Sequence, residues 1–244
     1  MGKMIEIEEG LPAYLAEPRS GAVRGGLILI HEVWGLAEHT RDVADRFAAE
    51  GYVVVAPQLL ADIGLDPGVG KELQDELFDP ERRAAAQPKL RELMAPLHAP
   101  GFAEQTLTRV QACFAFLDSR ADVAERVAVA GFCFGGSYAF SLAANEPRLK
   151  AAVPFYGHAN FSDDQLKAIE APVLAFYGQE DQGLMESLPE LVEQMHGAGV
   201  DFTSVVYPGA GHAFFNDTNR WTYRPDTAKD AWEKTLTFLA DNMV

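Results

Sequence analysis

The sequence places a cysteine where a nucleophile would be expected, in the run GFCFG (131–135). An apolar run, RVAVA (126–130), precedes it, and a helical pattern follows at once. This order matches the G-x-nucleophile-x-G elbow, with Cys133 where Ser is commoner. The glycines let strand and helix backbones approach closely, and the N-terminus of the helix favours a thiolate and a later oxyanion. We therefore predict that Cys133 is a catalytic nucleophile; the alternative is a buried structural cysteine at a tight turn.

A nucleophilic cysteine needs a base, and the base needs an acid that orients it. Asp181 and His212 follow Cys133 in the chain order nucleophile, acid, base, which is typical of this elbow. Each lies in a loop after an apolar run, so both would reach the same edge of a parallel sheet. We predict that His212 is the base and Asp181 its acid. Glu180 is an alternative candidate for the acid, in which case Asp181 would be a solvated acid or a helix cap. The alternative for His212 is an ordinary loop histidine without a catalytic role.

The run HEVWGL (31–36) follows the first strongly apolar run of the chain. In a fold with this elbow, the loop at that place donates an N–H group to the oxyanion, so we predict Val33 and Phe134 as the two N–H donors. Glu32 is an unusual neighbour for such a site, because its charge opposes a thiolate and an oxyanion. Either it accepts the thiol proton as part of the mechanism, or it is paired with an arginine such as Arg41.

Short apolar runs alternate along the chain with amphipathic stretches that have helical spacing. This alternation predicts a parallel α/β sandwich. Together with the elbow motif, it predicts an α/β-hydrolase fold, with a mostly parallel central sheet and helices on both faces. The predicted central strands are 25–30, 52–56, 126–130, 151–155 and 172–177, with 201–207 nearer an edge and an opening hairpin of 4–9 and 13–18. The predicted helices are 38–50, 105–120, 187–199 and 226–242, besides the one after Cys133.

Residues 58–104 depart from this alternation, because they contain no strand candidate. They hold a glycine-rich loop, IGLDPGVG (63–70), then ERRAAAQPKLRELMAPL (81–97) and an APGF turn. We predict a helical excursion over the carboxyl edge of the sheet, where ligands bind in open α/β folds, within a single domain over residues 1–244. We predict that four aromatic residues form apolar walls of this site: Trp34, Phe134, Tyr156 and Phe214. The alternative for each of them is a place in the hydrophobic core.

The composition excludes several classes of function. The formal net charge of −16 argues against nucleic-acid binding and against an anionic membrane surface. No apolar run has the length of a signal peptide or of a membrane span, and two cysteines give neither a disulfide framework nor a zinc motif. We therefore expect a cytoplasmic protein with free thiols, without metal or cofactor, acting on a small molecule as a monomer or homodimer. An anionic substrate would need a local cation.

Taken together, these motifs resemble the dienelactone hydrolase family (carboxymethylenebutenolidases) over about residues 4–242. The likeness rests on HEVWGL, RDVADRFAAEGYVVVAPQLL, AVAGFCFGG, the G-x-x-D that ends at Asp181, and GAGHAFF. The resemblance implies a Cys133-His212-Asp181 triad, a Glu32 that helps to form the thiolate when substrate binds, and cofactor-free hydrolysis of an enol-lactone in the ortho-cleavage route of aromatic degradation.

The sequence departs from the family where the substrate is recognised. The family holds a substrate carboxylate with two arginines, one in the middle segment and one shortly after the catalytic histidine. Here the position four after His212 is Asn216. We expect Arg83 to bind substrate, with Arg82 or Arg91 as alternatives, while Arg220 and Arg224 lie further along the chain. A broader ester range, as in a general carboxylesterase or thioesterase with the same triad, and a non-catalytic binder of a small molecule or protein are the alternative functions.

Overall fold

The structure is a computed structural model that describes residues 2–61, 67–79 and 81–244, and for residues 67–71 it describes the backbone alone. Its eight strands are β1 (Lys3–Glu6), β2 (Pro12–Ala16), β3 (Gly25–Ile30), β4 (Tyr52–Pro57), β5 (Val127–Phe132), β6 (Ala151–Phe155), β7 (Val173–Gly178) and β8 (Phe202–Tyr207). Its helices are α1 (Glu38–Ala49), α2 (Pro67–Phe78), α3 (Arg83–Met94), α4 (Phe102–Asp118), α5 (Phe134–Ala143), α6 (Asp163–Lys167), α7 (Gln182–Gly197) and α8 (Pro225–Asn242).

All eight strands form one sheet in the order β1-β2-β4-β3-β5-β6-β7-β8. The hairpin β1–β2 is antiparallel and joins β4 antiparallel, whereas every pairing from β4 to β8 is parallel. The strands β3 to β7 are buried and nearly all apolar because helices cover both of their faces. The predicted strands are confirmed within two residues at each of their ends, apart from the longer opening hairpin, and β8 is the predicted edge strand.

The direction of the crossovers decides where a site can form. The connection β3-α1-β4 runs toward β2, while β4-α4-β5 and the connections after it run toward β8. Because crossovers are right-handed, α1 lies on the opposite face from α4 and α5. The order of the sheet therefore reverses between β3 and β5, and the crevice outside the carboxyl ends of these two strands is the expected ligand site. The last helix returns to the α1 face, where Trp232 packs on Phe47.

The stretch predicted as a helical excursion contains α2, α3, a 3-10 turn (Ala95–His98) and the start of α4. One part of that prediction is wrong: residues 67–70, predicted as glycine-rich loop, form the first turn of α2, since Pro67 suits the first position of a helix. The remainder of that predicted loop, residues 63–66, lies outside the described residues. The predicted helix 187–199 begins earlier, at Gln182.

The helices α2 and α3 pack together around a small apolar cluster. Trp34, Leu73, Leu77 and Ala86 form this cluster, which is separate from the main core around the sheet. The pair therefore rests on Trp34, in the loop after β3, rather than on the sheet. None of the helices in the described part of the chain combines the length and hydropathy that crossing a bilayer requires.

Candidate active site

Cys133 lies at the turn between β5 and α5, where the elbow pattern predicts it. Its backbone has φ 56° and ψ −112°, a conformation that costs energy for any residue other than glycine. Its N–H donates to the carbonyl of Phe155 (3.0 Å), which holds the turn against β6. A Cβ at Gly131 would overlap the carbonyl of Gly135, so both backbones need this glycine to pass each other. The sulfur is half-buried beside the first turn of α5, whose N–H groups favour negative charge.

His212 and Asp181 come together above the same edge of the sheet. The Nδ1 atom of His212 lies 2.5 Å from Oδ2 of Asp181, a hydrogen bond that orients the ring. Asp181 occupies the N-cap position of α7, yet its side chain caps no backbone N–H, because the carboxylate is turned to His212 instead. Glu180, the rival acid, is exposed. The structure therefore pairs the histidine with the predicted acid.

The environment of His212 favours its protonated form. Burial by itself lowers the pKa of this imidazole, because it disfavours the charged ring. The negative charge of Cys133, the hydrogen bonds with Asp181 and Cys133 and the charge of Asp181 act in the opposite direction and outweigh burial. The result is a pKa of His212 well above its ordinary value of 6.5. The sulfur of Cys133 thus interacts with the imidazole of His212, which in turn interacts with the carboxylate of Asp181.

Glu32 is buried directly beside these groups, with 4% of its surface exposed. The Nδ2 group of Asn216 donates to its Oε2 (2.6 Å), and the hydroxyl of Tyr156 donates to its Oε1 (3.3 Å). The alternative of an ion pair with Arg41 is wrong: both residues are described, and no ion pair joins them. The acid is therefore satisfied by two neutral donors rather than by a cation.

The loop that carries Glu32 is held by His31, which is fully buried. Its Nε2 accepts a hydrogen bond from the N–H of Leu59 (3.1 Å), so the proton lies on Nδ1, which donates to the carbonyl of Glu32 (2.6 Å). Burial lowers the pKa of His31 to about 4, so the ring is neutral and this tautomer persists. The ring also stacks on Phe134. His31 thus fixes the backbone that leads to Val33.

A cavity of about 540 Å³ opens beside Cys133 and His212. The loop after β3 contributes Glu32, Val33 and Trp34 to its walls. The helices α2 and α3 form its cover through Leu77, Phe78, Arg83, Gln87, Leu90 and Met94. Apart from His212, Arg83 is the basic residue among the described lining residues, and Arg82 instead pairs with Asp79. The helical excursion is therefore the roof over the candidate nucleophile.

Some residues predicted for the substrate site lie elsewhere. Tyr156 and Phe214 are fully buried and are not among the described residues that line the cavity, so their expected role as apolar walls is wrong. Tyr156 instead packs against His212 (ring centroids 5.0 Å apart) and contacts Glu32. The Phe134 ring lies against His31, outside that lining as well. Arg91, Arg220 and Arg224 do not line the cavity either.

The predicted oxyanion donors have free N–H groups. Phe134 begins α5, so its N–H has no acceptor within the helix. Neither this N–H nor that of Val33 donates to another group in the part of the chain that the structure describes. Val33 lines the cavity, and Phe134 directly follows the nucleophile. Cys113, in contrast, is fully buried inside α4, and burial raises the pKa of its thiol far above the ordinary range.

An eight-stranded, mostly parallel sheet with a strained residue at the turn from β5 to α5 defines an α/β-hydrolase. The model of the dienelactone hydrolase family matches residues 11–243, and the chain belongs to this family. It is accordingly a carboxylic ester hydrolase of the dienelactone hydrolase type.

Three relatives illustrate the similarity. A protein of Saccharolobus solfataricus, provisionally named a carboxymethylenebutenolidase, is 30% identical over 243 residues, which cover 93% of this chain and 92% of the relative. A protein of the same name from Salmonella typhimurium is 32% identical over 244 residues, covering 95% and 83%. The crystal structure of a protein from Klebsiella pneumoniae, provisionally described as a dienelactone hydrolase, has a TM-score of 0.81 at 30% identity and covers 98% of both chains.

Proposed function

We propose that the protein hydrolyses a lactone or ester through a thioester formed on Cys133. One observation carries this proposal: His212 lies between the Cys133 sulfur and the Asp181 carboxylate, and its pKa is raised by both. An imidazole placed between a thiol and a carboxylate is the arrangement that can form a thiolate–imidazolium pair, which is the reactive form of a cysteine nucleophile.

In the first step, the Cys133 thiolate attacks the carbonyl carbon and a C–S bond forms. The oxyanion accepts hydrogen bonds from the N–H groups of Val33 and Phe134. The C–O bond of the ester then breaks, and the leaving oxygen takes the proton of the His212 imidazolium. In the second step, His212 removes a proton from water, the hydroxide oxygen attacks the thioester, and the C–S bond breaks. The carboxylic acid leaves and the thiolate is restored.

Where the sulfur still carries its proton, Glu32 accepts that proton and passes it to His212, which leaves Cys133 as thiolate, His212 as imidazolium and Glu32 again as carboxylate. Its carboxylate lines the same cavity as Cys133, and both of its oxygens accept hydrogen bonds, as a carboxylate does. The charge of Cys133 and that of Glu32 both act on the fully buried hydroxyl of Tyr156, which lies near both groups. A carboxylate that lines the same cavity as the sulfur is a candidate to take its proton.

The chemistry of the cavity suggests the class of substrate. Most of the described lining residues are apolar, and Arg83 adds one cation at the roof. With a net charge of −16, the protein repels anions at long range, so a local guanidinium is the group that would hold a substrate carboxylate. We expect a compact lactone or ester that bears an acidic group, with neutral esters as weaker substrates.

Cys133→Ala and alkylation by iodoacetamide test the mechanism. We expect the variant to lose hydrolysis by about 10³-fold or more, because attack by the sulfur is the step removed. In the parent protein, iodoacetamide should label Cys133 rapidly and abolish turnover, while the buried Cys113 stays unlabelled. A Cys133→Ala protein that hydrolyses its best substrate as fast as the parent would disprove the proposal. Slow labelling together with no ester hydrolysed would favour the non-catalytic binder.

Arg83→Gln tests the substrate class, with Arg82→Gln as its matched control. For an ester that carries a carboxylate, loss of Arg83 should raise KM by about 10-fold, the value of one charged hydrogen bond, and leave kcat less affected. For a neutral ester of the same size, KM should hardly change. Arg82 pairs with Asp79 away from the cavity, so its replacement should alter neither. Equal effects on both esters would exclude carboxylate recognition by Arg83.

A further inference from the structure

Asn216 holds Glu32 through a contact that joins distant parts of the chain. The two residues are 184 positions apart, and the amide Nδ2 donates to the carboxylate Oε2 at 2.6 Å. Asn216 is 98% buried and Glu32 is 96% buried, so water does not compete for this hydrogen bond. A short hydrogen bond to a buried carboxylate strongly restricts how that carboxylate can turn.

Thr218 determines which way the Asn216 amide faces. The amide oxygen accepts hydrogen bonds from the backbone N–H of Thr218 (3.1 Å) and from its hydroxyl (2.6 Å). Both of these groups are donors, so they select the oxygen of the amide and leave the Nδ2 donor for Glu32. Thr218 itself is exposed. Thr218 therefore donates to Asn216, Asn216 donates to Glu32, and Tyr156 donates to the other oxygen of Glu32.

Glu32 stands between two cavities. It lines the substrate cavity of about 540 Å³ beside Cys133, His212 and Arg83. Together with Asn216 and Thr218, it also lines a second cavity of about 220 Å³. The described charged or titratable residues that line this second cavity with Glu32 are Glu38, His39 and Arg41. Unless something restrains it, the carboxylate can turn toward either side.

We propose that Asn216 is a positioning residue for Glu32: its amide, oriented by Thr218, keeps the carboxylate in the one orientation in which it serves Cys133. This inference rests on the proposed function, in which Glu32 accepts the thiol proton. An arginine here would neutralise Glu32, whereas the amide fixes its direction and leaves its charge unpaired. The charge of Glu32 therefore remains available to the thiol.

Three variants test the inference by the rate at which iodoacetamide alkylates Cys133 and by kcat and KM. Asn216→Ala removes the amide, so we expect kcat and the alkylation rate at neutral pH to fall between about 10- and 100-fold, with KM nearly unchanged. Thr218→Val removes the hydroxyl that orients the amide and should reduce both rates in the same direction by a smaller factor. Thr218→Ser restores that hydroxyl and should recover most of the loss.

Asn216→Asp gives a signature that a merely structural residue would not produce. It places a second carboxylate against Glu32, and two such groups share one proton as the pH falls. Relative to the parent at each pH, the alkylation rate should be lowest at about pH 8 and should rise toward about pH 5, as the shared proton restores the hydrogen bond. Asn219→Ala is the matched control: Asn219 is similarly buried in the same loop, but its side-chain oxygen accepts from the N–H of Trp221 and none of its described hydrogen bonds goes to Glu32, so its replacement should leave the pH profile unchanged.

Folding is checked by the melting temperature of each variant. A parent-like alkylation rate, kcat and pH profile in Asn216→Ala and Thr218→Val would overturn the inference, as would a profile in Asn216→Asp that runs parallel to the parent. These results would leave the proposed function intact, provided that Cys133→Ala is inactive. Activity in Cys133→Ala would instead remove the proposed function itself.

Discussion

His212 is the residue whose protonation reports the state of the whole site. Its ring is 35% exposed, so ligand and solvent reach it, yet the charge of Cys133 and the carboxylate of Asp181 hold the pKa of the ring above its ordinary value. In the proposed mechanism, a base that rests in its protonated form is already the acid that the leaving oxygen needs. The proposed deacylation step then uses the same ring after it has given up that proton.

The pKa of His212 should fall when the sulfur is removed. In the parent, the ring should remain protonated as pH rises well past 6.5, because the thiolate and Asp181 favour the cation. In Cys133→Ala, only Asp181 remains to oppose burial, so the pKa should move down toward 6.5 or below. Titration of the His212 ring by NMR measures this shift. Cys113→Ala, a control at the buried thiol, should leave the titration unchanged.

Among the individual residues of the site, the sequence predicts the Cys133, His212 and Asp181 triad but not the groups that surround it. The glycines beside Cys133 and the chain order of Asp181 and His212 are local patterns, and local patterns are visible in one sequence. Asn216 is visible only as a missing arginine, because its partner Glu32 lies on a different loop. The role of His31 depends on its contact with Leu59, which no spacing rule predicts.

The elbow shows how an element can depend on a single missing side chain. A Cβ at Gly135 would overlap the carbonyl of Ile30, at the carboxyl end of β3. We expect Gly135→Ala to lower the free energy of unfolding by at least about 3 kcal/mol, because two backbones must separate to admit the methyl group. Gly197→Ala, at the exposed end of α7 with nothing within 4 Å, is the control and should change it by less than about 1 kcal/mol. Urea denaturation measures both.

The α2–α3 cover should open independently of the sheet. Leu77→Ala removes part of the small cluster under the cover, so amide exchange in α2 and α3 should speed up by about 30-fold, which corresponds to about 2 kcal/mol. Exchange in β3 to β7 should not change. Leu191→Ala, in the main core, should instead lower the melting temperature of the whole molecule. Faster exchange throughout the sheet of Leu77→Ala would show that the cover and sheet unfold together.

The elements themselves were largely predictable, because buried parallel strands are apolar along their whole length and helices repeat at a different period. The residues at which helices begin and end were less predictable. The helix α7 starts at Gln182, five residues before its predicted start, and Asp181 is its N-cap residue while the carboxylate of Asp181 faces His212. The short α6 depends on a capping box between Ser162 and Gln165, a signal that is present in the sequence but easily missed in a loop.

For the whole molecule, the net charge of −16 acts on every charged substrate before it reaches the cavity. Salt screens such long-range repulsion, with a Debye length of about 10 Å at 0.1 M. We therefore expect KM for a carboxylate-bearing ester to fall as salt is raised from about 0.01 to about 0.1 M, while KM for a neutral ester stays constant. In Arg83→Gln, the fall should be larger, because the opposing local attraction is gone. A rise in KM with salt in both proteins would contradict this account.

Fold class and family are the parts of the prediction that hold for the chain as a whole, since both depend on the alternation of elements and on motifs spread over residues 11–243. The cytoplasmic location, the single domain and the monomer or homodimer stay predictions. Each depends on contacts or surroundings beyond the pattern of one chain.

The separate apolar cluster under α2 and α3 has an evolutionary consequence. Mutations in α2 and α3 should destabilise only the small cluster under these helices. The sheet that aligns sulfur, imidazole and carboxylate should keep its stability. The α2–α3 cover can therefore change in sequence while the sheet below it is retained. New substrates would then be reached through changes between residues 67 and 94, at little thermodynamic risk to the chemistry below.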